Sequence, residues 1–248
     1  SKHIVVALMR QNNSWLIAFE KATGKVAWKV ERNYETPREG DHSYATPILI
    51  NHKGEEAILV WGAERLSAHS AKDGSILWIS SGFNPKKKNN WVVVGSHVVA
   101  GDVAIVPFGR GSHIAGVKMG GTGDVTKPNR LWTRNDSGCF VPTPAVLGKK
   151  VFILRDRGEV HCIDSDTGKS HWEDAFPKAS SSYYGSPTIA GGKLYAPRED
   201  GVILVADVSN GFRFLGENDM GERVIASPVP VSNRLLVRGE KHLFCLGE

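Results

Sequence analysis

Apolar and polar residues alternate along many short stretches of this chain, as along a β-strand with one buried face. Val160, Cys162 and Asp164 fall on one side of such a stretch, and His161 and Ile163 on the other. An Asp-Thr-Gly turn and then a tryptophan follow it. Because glycine tolerates the positive φ of a tight turn, the stretch predicts a β-hairpin. No segment keeps a spacing of 3.6 residues, so we expect almost no helix.

This hairpin is one copy of a repeat that runs along the whole sequence. Each copy has a glycine in its turn or an aromatic residue after it, and the aromatic residues are Trp28, Trp78, Trp132, Trp172 and Phe214. Their spacing of 40 to 54 residues is typical of solenoids and β-propellers. A tryptophan on the last strand suits packing between stacked sheets, so we expect Trp28, Trp78 and Trp172 to be largely buried at equivalent places.

A second periodic mark precedes the first strand of each repeat. The pairs begin at Thr46, Ser96, Thr143, Ser186 and Ser227. Four of them are Ser-Pro or Thr-Pro, and the pair at Ser96 is Ser-His. Proline has no N–H group for a β-ladder and is confined to strand starts, bulges and sheet edges. The strands that follow should therefore be edge strands, as the innermost strand of a propeller blade is.

The two marks together predict an all-β propeller built from four-stranded antiparallel blades. Four blades are complete and two have three strands each, within a single domain over residues 1–248. The predicted blades cover about 1–32 (partial), 42–81, 92–135, 140–176, 183–219 and 223–248 (partial).

Composition narrows the choice of partner. The chain of 248 residues is 41% hydrophobic, enough for a sizeable core, and no apolar run is long enough to cross a membrane. Its net charge of +5 is spread out except at Lys86–Lys88, which lies in a polar stretch typical of a solvated loop, so nucleic-acid binding is not expected. Cys139, Cys162 and Cys245 are odd in number and far apart, with no CxxC spacing, which gives no support for a zinc ribbon or a c-type haem.

The segments Ala18–Trp28, Ala68–Trp78, Cys162–Trp172 and Ala206–Phe214 match the pattern A-x-D-x-x-T-G-x-x-x-W to different degrees. In these segments and in the Ser/Thr-Pro marks, the sequence resembles the quinoprotein-type, or PQQ-like, β-propeller repeat family of the BamB-like kind. The resemblance implies a ring of seven or eight blades, so this sequence is expected to be part of a longer protein. It also implies a bacterial protein located outside the cytoplasm, whose signal peptide is absent from this chain.

The same resemblance leaves an enzyme open as an alternative. Family members that use pyrroloquinoline quinone carry a pair of adjacent cysteines, calcium ligands and a catalytic aspartate. This sequence has no adjacent cysteines, and no position here aligns with those ligands. We therefore predict no catalytic, cofactor-binding or metal-binding residue, with a quinone- and calcium-dependent oxidoreductase as the alternative.

One recurrent feature points beyond folding. Arginines recur near the connection between the second and third strands of the repeat, at Arg65, Arg110, Arg155, Arg198 and Arg238. In a propeller these connections share one face with the segments that join successive blades. Those segments carry Asp41, His42, Tyr44, Trp91, Phe140, Tyr183 and Tyr184.

Two interpretations of this face remain open. The arginines can bind carboxylates or an acidic peptide, or each can pair with a neighbouring carboxylate and lock one blade to the next. The leading hypothesis for the whole chain is a non-catalytic scaffold that presents this face to a protein or peptide. The alternatives are the oxidoreductase, and a propeller that binds a small anionic or carbohydrate ligand in its central funnel. Self-association through the incomplete terminal blades is also expected.

Overall fold

The computed structural model describes residues 2–10 and 12–247. Over these residues the regular structure is six β-sheets in chain order and one four-residue helix, and the sheets are antiparallel except for one two-residue strand that pairs in parallel at the edge of the second. The prediction of an all-β fold built from four-stranded antiparallel units is confirmed.

The strands of the first three sheets have the following bounds. The first two sheets contain β1 His3–Leu8, β2 Trp15–Glu20, β3 Val26–Glu31, β4 Ile48–His52, β5 Glu55–Gly62, β6 Arg65–Ser70 and β7 Ile76–Ser80. The third contains β8 Val98–Ala100, β9 Val103–Phe108, β10 His113–Lys118 and β12 Arg130–Arg134. Along the chain, β11 Gly123–Asp124 and helix α1 Thr126–Asn129 come between β10 and β12, and β11 pairs with the last strand of the second sheet.

The remaining three sheets follow the same plan. They contain β13 Ala145–Leu147, β14 Lys150–Leu154, β15 Glu159–Asp164, β16 Ser170–Ala175, β17 Thr188–Ala190, β18 Lys193–Pro197, β19 Val202–Asp207, β20 Arg213–Asp219, β21 Val229–Val231, β22 Arg234–Arg238 and β23 Leu243–Leu246.

The strands that follow the Ser/Thr marks lie at sheet edges, as predicted. Strands β4, β8, β13, β17 and β21 each pair with one neighbour and end the order of their sheet. Strand β13 also contacts β8 and β17, and β17 contacts β21, so the edge strands of successive sheets meet each other. The sheets therefore surround a common centre lined by these short strands.

A chain of hydrogen bonds runs along that centre, which we call the hydroxyl belt. The backbone N–H of Thr46 donates to Ser96 Oγ at 3.0 Å, and that of Ser96 donates to Thr143 Oγ1 at 3.0 Å. The N–H of Thr143 then donates to Ser186 Oγ, and that of Ser186 to Ser227 Oγ, both at 2.9 Å. The hydroxyl residue of each mark therefore joins one sheet to the next.

The core lies between successive sheets. Interior strands such as β9 are buried along their whole length, whereas the first and last sheets each keep one apolar face open. On the first sheet Ile4 is 54% exposed and Val6 lies beside it, and on the last sheet Leu243 is 63% exposed. On the strands of each open face, every second residue is apolar and points to the same side, as on a strand that packs against another sheet.

We expect this chain of residues 1–248 to self-associate through the open faces. Replacing both Ile4 and Val6 by lysine should shift the protein toward the monomer in sedimentation velocity, because lysine cannot be buried without a partner. Tyr44→Lys, at an exposed position away from both faces, is the control. A wild-type chain that stays monomeric at high concentration would contradict the expectation.

The repeat tryptophans contact the turn of the following sheet. The indole N–H of Trp28 donates to Ala71 O at 3.1 Å, and that of Trp132 donates to Ser165 O at 2.8 Å. Gly74 lies against the ring of Trp28, where a Cβ would come within 2.7 Å of it. Glycine is therefore required in this turn by close packing as well as by its φ of +78°.

The prediction that three tryptophans are largely buried is only partly right. Trp78 is fully buried, but Trp28 and Trp172 are half-buried, as is Trp132. A half-buried ring of this kind covers the turn of its neighbour from the rim, and the rest of the ring faces solvent. The ring of Trp172 packs against Phe152 and Phe212 at centroid distances of 6.0 and 5.8 Å.

Trp78 differs because of the segment between β10 and β12. Strand β11 pairs in parallel with β7, with Gly123 opposite Trp78, and Val125 is buried in the same hydrophobic cluster as Trp78. The segment takes the place of the short turn that receives the tryptophan in other sheets. As a result Trp78 is covered completely, and its indole N–H has no acceptor.

A buried polar network joins the first two sheets. The guanidinium of Arg32 is fully buried and donates to Gly62 O and Arg65 O, both at 2.9 Å. It also donates to Ser67 Oγ at 3.1 Å, and Ser67 Oγ lies 2.9 Å from His69 Nε2. Because burial lowers the pKa of His69 to about 4, its ring is neutral. The ring can then accept at Nε2 while Nδ1 donates to the carbonyl of Gly74 at 2.9 Å.

We expect His69 to make the fold less stable in mild acid. The unfolded state takes up a proton near pH 6.5, whereas the folded state resists it down to about pH 4. Stability is therefore lost as pH falls through this range, by about 2 kcal/mol at pH 5. Urea unfolding at pH 7.5 and pH 5 should show a smaller loss for His69→Gln than for the wild type. An equal loss in both proteins would contradict this assignment.

Candidate binding face

One end of the sheets carries both sets of predicted site residues. In an antiparallel sheet the turn between the second and third strands lies at the same end as the start of the first strand and the end of the fourth. The turns at 63–64, 109–112, 155–158, 198–201 and 239–242 therefore share this end with the connections between sheets. We call it the turn face.

Two of the predicted arginines lie over aromatic rings. The guanidinium of Arg65 is 4.4 Å from the centre of the Tyr34 ring, and that of Arg110 is 4.3 Å from the centre of the Phe140 ring. Each aromatic residue lies in a connection between sheets. Stacking of this kind holds the cation in place and leaves N–H groups at its edge free to donate.

The other three arginines differ from one another. Arg198 is buried and forms an ion pair with Asp200 at 2.9 Å, and exposed Arg238 donates to the carbonyls of His242 and Glu240 in its own hairpin. The side chain of Arg155 is half-buried and has no hydrogen bond or ion pair with any described residue. The five therefore do not form one equivalent set.

The alternative in which each arginine pairs with a carboxylate of the next blade is wrong. That role belongs to Arg223, which was not predicted because it lies outside the repeat. Its guanidinium binds Glu199 and also lies 3.4 Å from Glu240, so it joins the turns of the last two sheets. All three side chains are partly exposed, so the ion pairs contribute on the order of 1 kcal/mol or less each.

The predicted aromatic and acidic residues divide into buried and exposed groups. Tyr183 is buried, and a Cβ on Gly158 would come within 2.9 Å of its ring, so Tyr183 packs between sheets and is not available to a partner. Asp41 is buried as well, and His42 is half-buried. Tyr44 and Tyr184 are 73% and 39% exposed. Among the predicted residues, these two tyrosines are the exposed aromatic ones.

Trp91 and its neighbours form an aromatic cluster at the centre of the face. The ring of Trp91 lies 5.0 Å from that of His113 and 6.1 Å from that of Phe108, and Phe108 contacts Phe83 at 5.4 Å. Trp91 is half-buried and Phe83 is fully buried. The cluster supports the part of the face that holds Arg110.

A groove opens beside this cluster, between the turns of the third and fourth sheets. It has a volume of about 300 Å³ and is lined by Arg110, Phe140, Arg155, Asp156 and Arg157. One oxygen of Asp156, Oδ1, is buried without a hydrogen-bond partner, and burial raises the pKa of this carboxyl group. The turn face thus brings two of the five predicted arginines into one cavity.

The sequence matches the family model of the outer membrane protein assembly factor BamB twice, over residues 2–125 and 124–243. This chain belongs to that family. The two matches together span nearly all of it, which agrees with a repeat that begins again along the sequence. No curated protein has a sequence significantly similar to this one.

Two solved structures show the same fold at low sequence identity. BamB from Moraxella catarrhalis is 15% identical, with a TM-score of 0.72 over 99% of this chain and 69% of that one. Sqt1 from Saccharomyces cerevisiae is 11% identical, with a TM-score of 0.70 over 100% of this chain and 69% of that one. Both likenesses concern the fold alone.

The oxidoreductase alternative calls for metal ligands and paired cysteines. Within the described residues, no group of three His, Cys, Asp or Glu side chains is placed to hold a metal ion. Cys139 and Cys162 are buried free thiols whose pKa values are raised by burial, and Cys245 is free and exposed. No helix in this part of the chain is long and apolar enough to cross a membrane.

Several residues of the turn face could not be found from the repeat. Tyr34 and Arg223 lie in connections whose lengths differ between copies, so they have no equivalent in other repeats. Arg157 is the third residue of its turn, and the other four-residue turns have Gly111, Asp200 and Lys241 at that position. A search for aromatic residues and arginines within the connections would have found all three, but not their contacts.

Proposed function

We propose that this chain is a single propeller domain that acts as a non-catalytic scaffold and binds a protein through its turn face. The observation that carries the proposal is the set of side chains there that keep exposed apolar area or N–H groups without an acceptor among the described residues: Tyr44 and Tyr184, and Arg110 and Arg155 around the groove. Tyrosine and arginine are enriched in binding surfaces because they combine apolar area with directed hydrogen bonds.

Membership of the family of an outer membrane protein assembly factor supports a partner that is a protein, and a location outside the cytoplasm. Cell fractionation of the full-length gene product tests the location. Recovery in the cytoplasm alone would refute it.

The partner should contact the turn face and not the opposite end. A photoreactive phenylalanine analogue placed at Tyr44 or Tyr184, in the full-length protein in its own cells, is expected to give a discrete crosslinked adduct. The same analogue at Lys72 or Asp102, in exposed turns at the other end, is the matched control. Adducts at the control positions with none at the tyrosines would overturn the proposal.

A further inference from the structure

The groove between the turns of the third and fourth sheets holds a cation that has no hydrogen bond or ion pair with any described carboxylate. The guanidinium of Arg155 is half-buried and faces this groove, yet no oxygen of any described carboxylate lies within 4 Å of its nitrogen atoms. Partial burial removes water from a guanidinium, and an unpaired one is therefore less stable than a paired one. The nearest acid along the chain is Asp156, which also lines the groove but forms no ion pair with Arg155, and its Oδ1 is buried without a hydrogen-bond partner.

Arg110 is held at the opposite side of the same groove. Its backbone has a φ of +54°, between Gly109 and Gly111, which also have positive φ values. A non-glycine residue is rarely left-handed, and here the conformation directs the side chain across the ring of Phe140. One nitrogen, Nη1, donates to Asn90 O at 3.3 Å, and the other N–H groups have no acceptor among the described residues.

Resting on the proposed function, we infer that this groove binds a carboxylate side chain of the partner, carried on an acidic peptide segment. Arg110, Arg155 and Arg157 would surround the carboxylate, which accepts two parallel hydrogen bonds from one guanidinium. The ring of Phe140 offers an apolar surface for the carbon atoms next to it. Asp156 and Glu159 also line the groove and would repel a continuous polyanion, which favours an isolated carboxylate over a nucleic acid.

Two peptides of eight residues test this inference, identical except that one has three glutamates where the other has three glutamines. Titration into the purified chain is expected to give at least tenfold tighter binding of the glutamate peptide, with the preference weakened by added salt. Arg110→Met and Arg155→Met should each abolish the preference. Arg234→Met, at an exposed arginine that begins β22 at the other end, should keep it.

Folding of each variant is checked by its melting temperature, and exposed Arg157→Met serves if Arg155→Met does not fold. Equal binding of the two peptides, or none, overturns the inference. Competition by free glutarate at the same concentration as the peptide would also overturn it, because the ligand would then be a small acid. If the crosslinks at Tyr44 and Tyr184 persist while the glutamate preference is absent, the scaffold stands and only the carboxylate site fails. If the glutamate preference is present and the crosslinks at Tyr44 and Tyr184 are absent, the proposed scaffold is refuted and the carboxylate site stands.

Discussion

Replacing Trp78 by alanine is expected to lower the free energy of unfolding by about 3–5 kcal/mol, the usual cost of truncating a buried large aromatic residue. The side chain is enclosed by strand β11 and Val125 on the outside and by the core between two sheets on the inside. Neither side can collapse easily into the cavity, because both belong to hydrogen-bonded backbone. Urea unfolding of the variant and the wild type measures the loss.

Trp172→Ala is the matched control, since this tryptophan has the same place in the repeat but is half-buried. Its loss should be clearly smaller than that of Trp78. Equal losses would mean that the segment around β11 adds nothing to the burial of Trp78. An unchanged urea midpoint for Trp78→Ala would contradict its packing role altogether.

Arg32→Ala should destabilise the protein by a similar amount, about 3–5 kcal/mol. The truncation leaves the carbonyl groups of Gly62 and Arg65 without donors in a buried space, and it removes the donor to Ser67. The pKa of Arg32 is lowered to about 10 by burial, so the group is still charged at neutral pH. Lysine has too few N–H groups in the required plane to replace it.

Arg213→Ala is the comparison for this second variant. Arg213 is exposed and pairs with Asp207 at 2.9 Å, so its loss should cost about 1 kcal/mol or less. Thermal melts of both variants test the difference. If Arg32→Ala melted at the wild-type temperature, the buried polar network would add nothing to the stability of the contact between the first two sheets.

The fold could be predicted from the sequence because its strongest signals are periodic. The turn glycines, the tryptophans and the Ser/Thr-Pro pairs recur in every or nearly every copy, and each has one physical reason that holds in all copies. The degree of burial of a given tryptophan was not predictable in this way. It depends on β11, which belongs to a single connection and has no counterpart in other repeats.

The binding face was harder to predict for the same reason. Arginine recurs at similar spacing, but Arg65 follows its turn whereas Arg155 and Arg198 begin theirs, so equal spacing does not give equal surroundings. Tyr183 looked like a surface residue and proves to be a packing residue, because the neighbouring turn has Gly158 where a larger residue would exclude the ring. The environment of a loop side chain is set by individual contacts of this kind, each between two residues that the repeat does not specify.

The hydroxyl belt has a consequence for how the molecule responds to force. Each of its bonds spans only two adjacent sheets, from a backbone N–H of one to a hydroxyl group of the next, and no bond of the belt reaches further. When the two ends of the chain are pulled apart, the last sheet can detach after its belt bond and its interface break, and the first sheet, which the belt does not reach, after its interface alone; the sheets between them stay joined. Extension should then proceed in steps of one sheet, recorded as a saw-tooth trace with a spacing of about 40–50 residues of released chain.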